Sequence, residues 1–162
     1  MSRYQMREKM FSIGDDYWIE DDSGNRRYKV DGKAMRMRKT FVIENASGQE
    51  VATVREKKLS LRDAMKIERG GATVATIRKA MISPLRDKYK IELESGGELI
   101  VKGKIGDHNY KFERDGDKIA EVSKKWFKVR DTYGIEINPE EDDVLILAAA
   151  VCLEEMSRGV VD

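Results

Sequence analysis

The stretch Asn138-Pro139-Glu140-Glu141-Asp142-Asp143-Val144-Leu145-Ile146-Leu147-Ala148-Ala149-Ala150-Val151-Cys152-Leu153 decides how this chain must fold. Val144 to Leu153 are apolar without interruption. A helix with no polar stripe is buried on every side. The residues before it read as a helix start. Asn138 suits an N-cap, Pro139 suits the first turn, and Glu140 to Asp143 put negative charge at the positive pole of the helix dipole. Arg158-Gly159 reads as a stop. The expectation is one helix over about residues 139–157. Its apolar run is shorter than the roughly 20 residues that span a bilayer, so the rest of the chain has to wall it in.

That remainder reads as β-hairpins. Gly48-x-x-Val51-Ala52-x-Val54, Gly71-x-x-Val74-Ala75-x-Ile77 and Gly116-x-x-Ile119-Ala120-x-Val122 share one pattern, with weaker echoes at Gly24 and Gly96. Each unit is too short for two helices. Ser23-Gly24, Ser47-Gly48, Gly70-Gly71, Gly96-Gly97 and Asp115-Gly116 are turn signals flanked by alternating runs. The alternation assigns faces. Tyr89, Ile91 and Leu93 oppose Lys88, Lys90, Glu92 and Glu94, Tyr110 and Phe112 oppose Asn109, Lys111 and Glu113, and Ala52 and Val54 oppose Val51, Thr53 and Arg55. One apolar and one wet face is the mark of antiparallel sheet. With prolines only at Pro84 and Pro139, about twelve strands fit between residues 3 and 137.

A helix apolar all round needs walls, and a sheet with one apolar face needs something to cover. Closing the sheet satisfies both and removes its edges. The predicted fold is therefore mainly β: a closed antiparallel barrel of about twelve strands enclosing a hydrophobic C-terminal helix. Ala148, Ala149 and Ala150 keep the helix thin, and Ala52, Ala75 and Ala120 keep the wall thin beside it. Residues 1–162 suit a single domain.

Composition sets the class. Charged residues are 38% and apolar residues 40% of the chain, which reads as globular and soluble. The one cysteine, Cys152, allows no disulfide framework, and Met1 to Met10 show no apolar leader. Both point to a cytoplasmic setting, with peripheral contact at a membrane compatible with it. The net charge is +1, but residues 138–162 hold seven acids and one base, while residues 33–69 hold ten bases and five acids. That excess falls below what a dedicated nucleic-acid binder carries.

Several motifs, in order, resemble the LURP-one-related family. They are Arg55-Glu56-Lys57-Lys58-Leu59-Ser60-Leu61-Arg62-Asp63, Val101-Lys102-Gly103-Lys104-Ile105-Gly106-Asp107-His108-Asn109-Tyr110, Ala120-Glu121-Val122-Ser123-Lys124-Lys125-Trp126-Phe127, Asp131-Thr132-Tyr133-Gly134-Ile135, and the acid-then-apolar tail Glu140 to Met156. The resemblance covers nearly the whole chain. It implies kinship with tubby C-terminal-like and phospholipid scramblase domains and a twelve-stranded barrel around a hydrophobic C-terminal helix. It implies no established biochemical activity. Tubby domains bind phosphoinositides through a basic surface, and no residue of that site is carried over to this chain.

Catalytic signals are weak, and the reading is non-enzymatic, with no cofactor and no metal. His108, the only histidine, falls in Asp107-His108-Asn109, which reads as an exposed turn. Cys152 sits inside the apolar helix, where a thiol is inert. No nucleophile elbow, P-loop, dinucleotide fingerprint or zinc spacing occurs. Glu113, Asp115 and Asp117, like Asp21-Asp22, flank turns without the spacing of a calcium loop.

The basic residues are the functional lead. Arg36, Arg38 and Lys39, followed by Lys57, Lys58 and Arg62, are the candidate ligand-binding residues of a basic outer face. Lys124, Lys125 and Lys128 surround Trp126 and Phe127, of which at least one should be core. Such a face suits acidic phospholipid head groups or a phosphorylated ligand. The competing reading is a solvated wall in which acids and bases interleave. Three functions follow in order: a non-catalytic binding module for acidic phospholipid or phosphorylated ligands, a protein-interaction scaffold without a small ligand, and last an enzyme of unrecognised type.

Overall fold

The computed structural model describes residues 2–7, 16–32, 40–56, 64–82, 86–126 and 132–161. They form twelve strands and one long helix: β1 Ser2–Arg7, β2 Asp16–Asp21, β3 Arg26–Gly32, β4 Thr40–Asn45, β5 Glu50–Glu56, β6 Ala64–Arg69, β7 Ala72–Ile82, β8 Asp87–Leu93, β9 Glu98–Lys104, β10 Asn109–Arg114, β11 Asp117–Ser123, β12 Thr132–Ile137 and α1 Asp143–Val161. A short 3-10 turn, Ile105–Asp107, joins β9 to β10.

Every strand pairs antiparallel with its neighbours in sequence, and β1 closes the sheet on β12, from Ser2 opposite Ile137 to Arg7 opposite Thr132. The result is the closed twelve-stranded barrel that the alternation predicts. The glycine-led repeats become the odd strands β3, β5, β7, β9 and β11, each entered through a turn with positive-φ glycine. At the β2–β3 turn, the Asp21 carboxylate accepts from the amides of Ser23 and Asn25 at 3.0 and 2.9 Å. These bonds, the Asn25 amide first, hold its carboxyl below the usual carboxylate range. Asp21 is thus a turn acceptor.

Four even strands share a second device. The register shifts between Ile19 and Glu20, Ile43 and Glu44, Ile67 and Glu68, and Phe112 and Glu113. Each is a bulge near a tight turn, and bulges raise local twist and bend a sheet toward closure. Gly103 serves a close approach: at φ +140, a Cβ there would lie 2.4 Å from the Asn109 carbonyl oxygen and 2.6 Å from the Tyr110 Cα.

The helix fills the bore. Ile146 to Met156 are buried without exception, including Ala148, Ala149 and Ala150, and Ala52, Ala75 and Ala120 are buried in the wall. At about 1.5 Å per residue, 19 residues reach roughly 28 Å, enough to run through strands of six or seven residues at about 3.3 Å each. Its first turn lies near the tight turns and its last turns lie against Ile105–Asp107 at the opposite end.

Both helix ends differ from the expectation. The helix starts at Asp143, not near 139, and Asp142, not Asn138, is the N-cap: its carbonyl accepts from the Ile146 amide at 3.1 Å and its carboxylate from the Leu145 amide at 3.2 Å. Asn138 is held by the wall instead, its amide donating to the Ile119 carbonyl and its side chain to the Lys118 carbonyl. At the far end the helix continues through Gly159 to Val161. Glycine costs about 1 kcal/mol inside a helix but does not by itself end one. At the near end, Arg114 grips Glu141 at 2.7 Å, Arg69 pairs with Asp142, and the Tyr4 hydroxyl donates to Asp143 at 2.5 Å. Burial and the Asp143 carboxylate push the Tyr4 phenol far above its ordinary value, so it remains a donor.

Candidate functional site

Arg36, Arg38, Lys39, Lys57, Lys58 and Arg62 all lie outside the described residues. The strands that flank them are described. The β3–β4 and β5–β6 connections leave the same end of the barrel, because one full hairpin separates them. The opposite end holds the tight turns and the entry to α1. Those connections carry Asp22, Glu94, Asp115, Glu140, Glu141 and Asp142 and no lysine or arginine.

On the wall toward the first end, register brings lysines together. Lys88 of β8 stands opposite Lys102 of β9, and Lys102 stands opposite Lys111 of β10. The three form one row across adjacent strands, which lie about 4.8 Å apart. Their neighbours along each strand, Tyr89, Val101 and Tyr110, are buried, so the lysines face outward. Lys90 and Lys104 join them one step along, and half-buried Ile100 sits between Lys90 and Glu113. Lys102 reaches Glu113 at 3.2 Å. No ion pair with a described residue holds Lys88, Lys90, Lys104 or Lys111.

The rest of the described wall is different. Arg3 pairs with Glu136, Arg55 with Glu68 at 3.0 Å, Arg78 with Glu92 at 3.5 Å, and Lys118 with Glu121 at 2.9 Å. For these bases the interleaved reading holds. The lysine row ends where Lys111 meets Glu121 across the strand. Partial burial pushes the Glu121 carboxyl up, but Lys118 and Lys125 outweigh it and hold it below its ordinary value. Like charges directly opposite across strands destabilise a sheet, and departures of that kind tend to mark function.

Trp126 is half-buried outside the barrel, with Arg3 5.2 Å and Lys125 5.3 Å from its ring centre. Phe127 and Lys128 lie outside the described residues. Of the turn acids, Glu113 is taken by Lys102. Among the described residues no group of three or more potential ligands could hold a metal ion.

His108 is not an exposed turn residue. It does sit in a turn, but its left-handed backbone, φ 53 and ψ 46, accompanies a side chain that is only 7% exposed. The ring stacks on Tyr133 at 4.1 Å, and Nδ1 lies 2.9 Å from the Glu154 carboxylate, which also accepts from the Tyr110 hydroxyl at 3.0 Å. Glu154 is 3% exposed and Glu155 is also buried, so these two acids belong to the interior. This cluster ties the last turns of α1 to β10 and β12. Cys152 is fully buried, and burial pushes its thiol far up, so it stays protonated and inert.

A closed, helix-filled β-barrel with a lysine-rich outer wall defines the class. The chain belongs to the LURP-one-related family, whose model matches residues 2–154. A similar fold is found in the X-ray structure of a protein from Arabidopsis thaliana, at TM-score 0.72 and 18% identity over 95% of this chain and 90% of that one. No curated protein matches the chain. No helix among the described residues is long and apolar enough to cross a membrane.

Proposed function

We propose that this domain is a non-catalytic binding module that docks on acidic, phosphate-bearing ligands, acidic phospholipid among them, through its outer wall. The row Lys88–Lys102–Lys111 carries the reading. Lys102 is offset by Glu113 at 3.2 Å, whereas Lys88 and Lys111 on either side have no described ion-pair partner. Stacking like charges across neighbouring strands costs stability, and an anion laid over the row relieves that cost. Arg36, Arg38, Lys39, Lys57, Lys58 and Arg62 lie outside the described residues, so the reading rests on the wall alone. A non-enzymatic role fits the one histidine–carboxylate pair, which is enclosed between helix and wall and serves packing.

Co-sedimentation with vesicles tests the reading. At about 0.15 M salt, where screening acts over about 8 Å, the chain should bind vesicles containing phosphatidylserine and leave neutral ones. Lys88→Gln combined with Lys90→Gln and Lys111→Gln should weaken binding about a hundredfold, at roughly fivefold per lysine, without lowering Tm by more than a few degrees, since no described ion pair is broken. Unchanged binding by that variant would remove the wall from the reading.

The second reading, a protein-interaction scaffold, is favoured by Trp126 between Arg3 and Lys125, since tryptophan and arginine concentrate at binding hot spots.

A further inference from the structure

We infer that the wall of β8, β9 and β10 reads the charge density of an anionic bilayer surface rather than the shape of one head group. The inference rests on the docking function proposed above and names its ligand as the lipid surface itself.

Three observations carry it. The cations are lysines: Lys88, Lys90, Lys102, Lys104 and Lys111. A lysine presents a compact, hydrated point charge on a flexible stem, whereas a fixed phosphate is gripped by the planar fork of arginine. Next, the described strand backbone of this wall offers nothing to a phosphate. The three strands are paired along this wall, β8 to β9 from Asp87–Gly103 to Glu92–Glu98, and β9 to β10 from Lys104–Asn109 to Ile100–Glu113. Their amides are therefore committed to the ladder, and none forms the converging nest that holds a discrete anion. Finally, the cations stand in a line on the outside of a closed barrel. Three strands about 4.8 Å apart spread the row over roughly 10 Å. That spacing faces several lipid head groups at once, and Ile100 among the lysines gives a shallow apolar contact.

The test uses the full chain and vesicles matched in total negative charge, one set carrying phosphatidylserine and the other a phosphoinositide in phosphatidylcholine. Binding should follow charge and be equal for the two sets within about twofold. Free inositol trisphosphate should not compete. Binding should vanish at 1 M salt, where the Debye length is about 3 Å. Each lysine among Lys88, Lys90 and Lys111 changed to glutamine should weaken partitioning roughly fivefold, while Arg27→Gln at the opposite end should leave it unchanged. A strong phosphoinositide preference at matched charge, with competition by inositol trisphosphate, would overturn the inference and leave the docking function standing. Binding to a DNA duplex but to no vesicle would assign the wall to a nucleic acid and overturn it as well. Absence of binding to any anionic probe would overturn both.

Discussion

A chain ending at Asp143 should not fold. Removing residues 144–162 takes out the side chains around which the barrel closes. Ile146, Leu147, Val151 and Leu153 are each at most 1% exposed. Burying them contributes about 1.5–3 kcal/mol apiece, which together is comparable to the about 5–15 kcal/mol net stability of a typical domain. The loss is not confined to the helix. Ala52, Ala75, Val54, Ile67 and Ile77 would line an empty bore, and the surrounding strands cannot collapse onto it without breaking the β1–β12 closure. The truncated chain should show no cooperative thermal transition and should bind apolar dyes. A truncated chain that melts cooperatively near the temperature of the full chain would mean the wall is stable without its core.

The second large effect is expected at Glu154. Its carboxylate lies 2.9 Å from His108 Nδ1 and accepts from the Tyr110 hydroxyl, all three residues being nearly inaccessible. Taking the acceptor from a buried polar group costs about 1–3 kcal/mol, because the remaining members keep their desolvation and lose the acceptor they share. Glu154→Ala should lower the urea-unfolding free energy by that amount. Glu154→Gln, which keeps an acceptor, should lose less. His108→Ala and Glu154→Ala should be non-additive by about 0.5–3 kcal/mol in a double-mutant cycle. A cost below about 1 kcal/mol for Glu154→Ala would show that the contact does not fix the helix in the barrel.

Fold and site were unequally legible. The barrel follows from two local patterns, alternation in the wall and an apolar run from Val144 to Leu153, because each pattern leaves a surface that only the other can cover. The helix start is legible only as acidic, since Asn138 and Asp142 are both good caps. The choice between them depends on the Asn138 contacts with Ile119 and Lys118 across the wall. His108 and Glu154 are 46 residues apart, and no local rule links a turn histidine to an acid beyond an apolar run. The lysine row was half visible. Alternation puts Lys88, Lys90 and Lys111 on the wet face, yet it takes the register of β8, β9 and β10 to set Lys88, Lys102 and Lys111 side by side. The composition signal pointed instead to Arg36–Lys39 and Lys57–Arg62, where bases are dense along the chain. Density in sequence and proximity across a sheet are different quantities.

The docking wall is tested most directly by mapping it. The chain, labelled with nitrogen-15, would be bound to phosphatidylserine nanodiscs containing a lipid with a nitroxide head group. Amide resonances near the membrane would then broaden. The strongest broadening is expected at Lys88, Lys90, Lys102, Lys104 and Lys111, fading toward the turns at Gly24, Gly48, Gly96 and Gly116. Broadening centred on those turns, or spread evenly around the barrel, would contradict the assignment of this wall as the docking face.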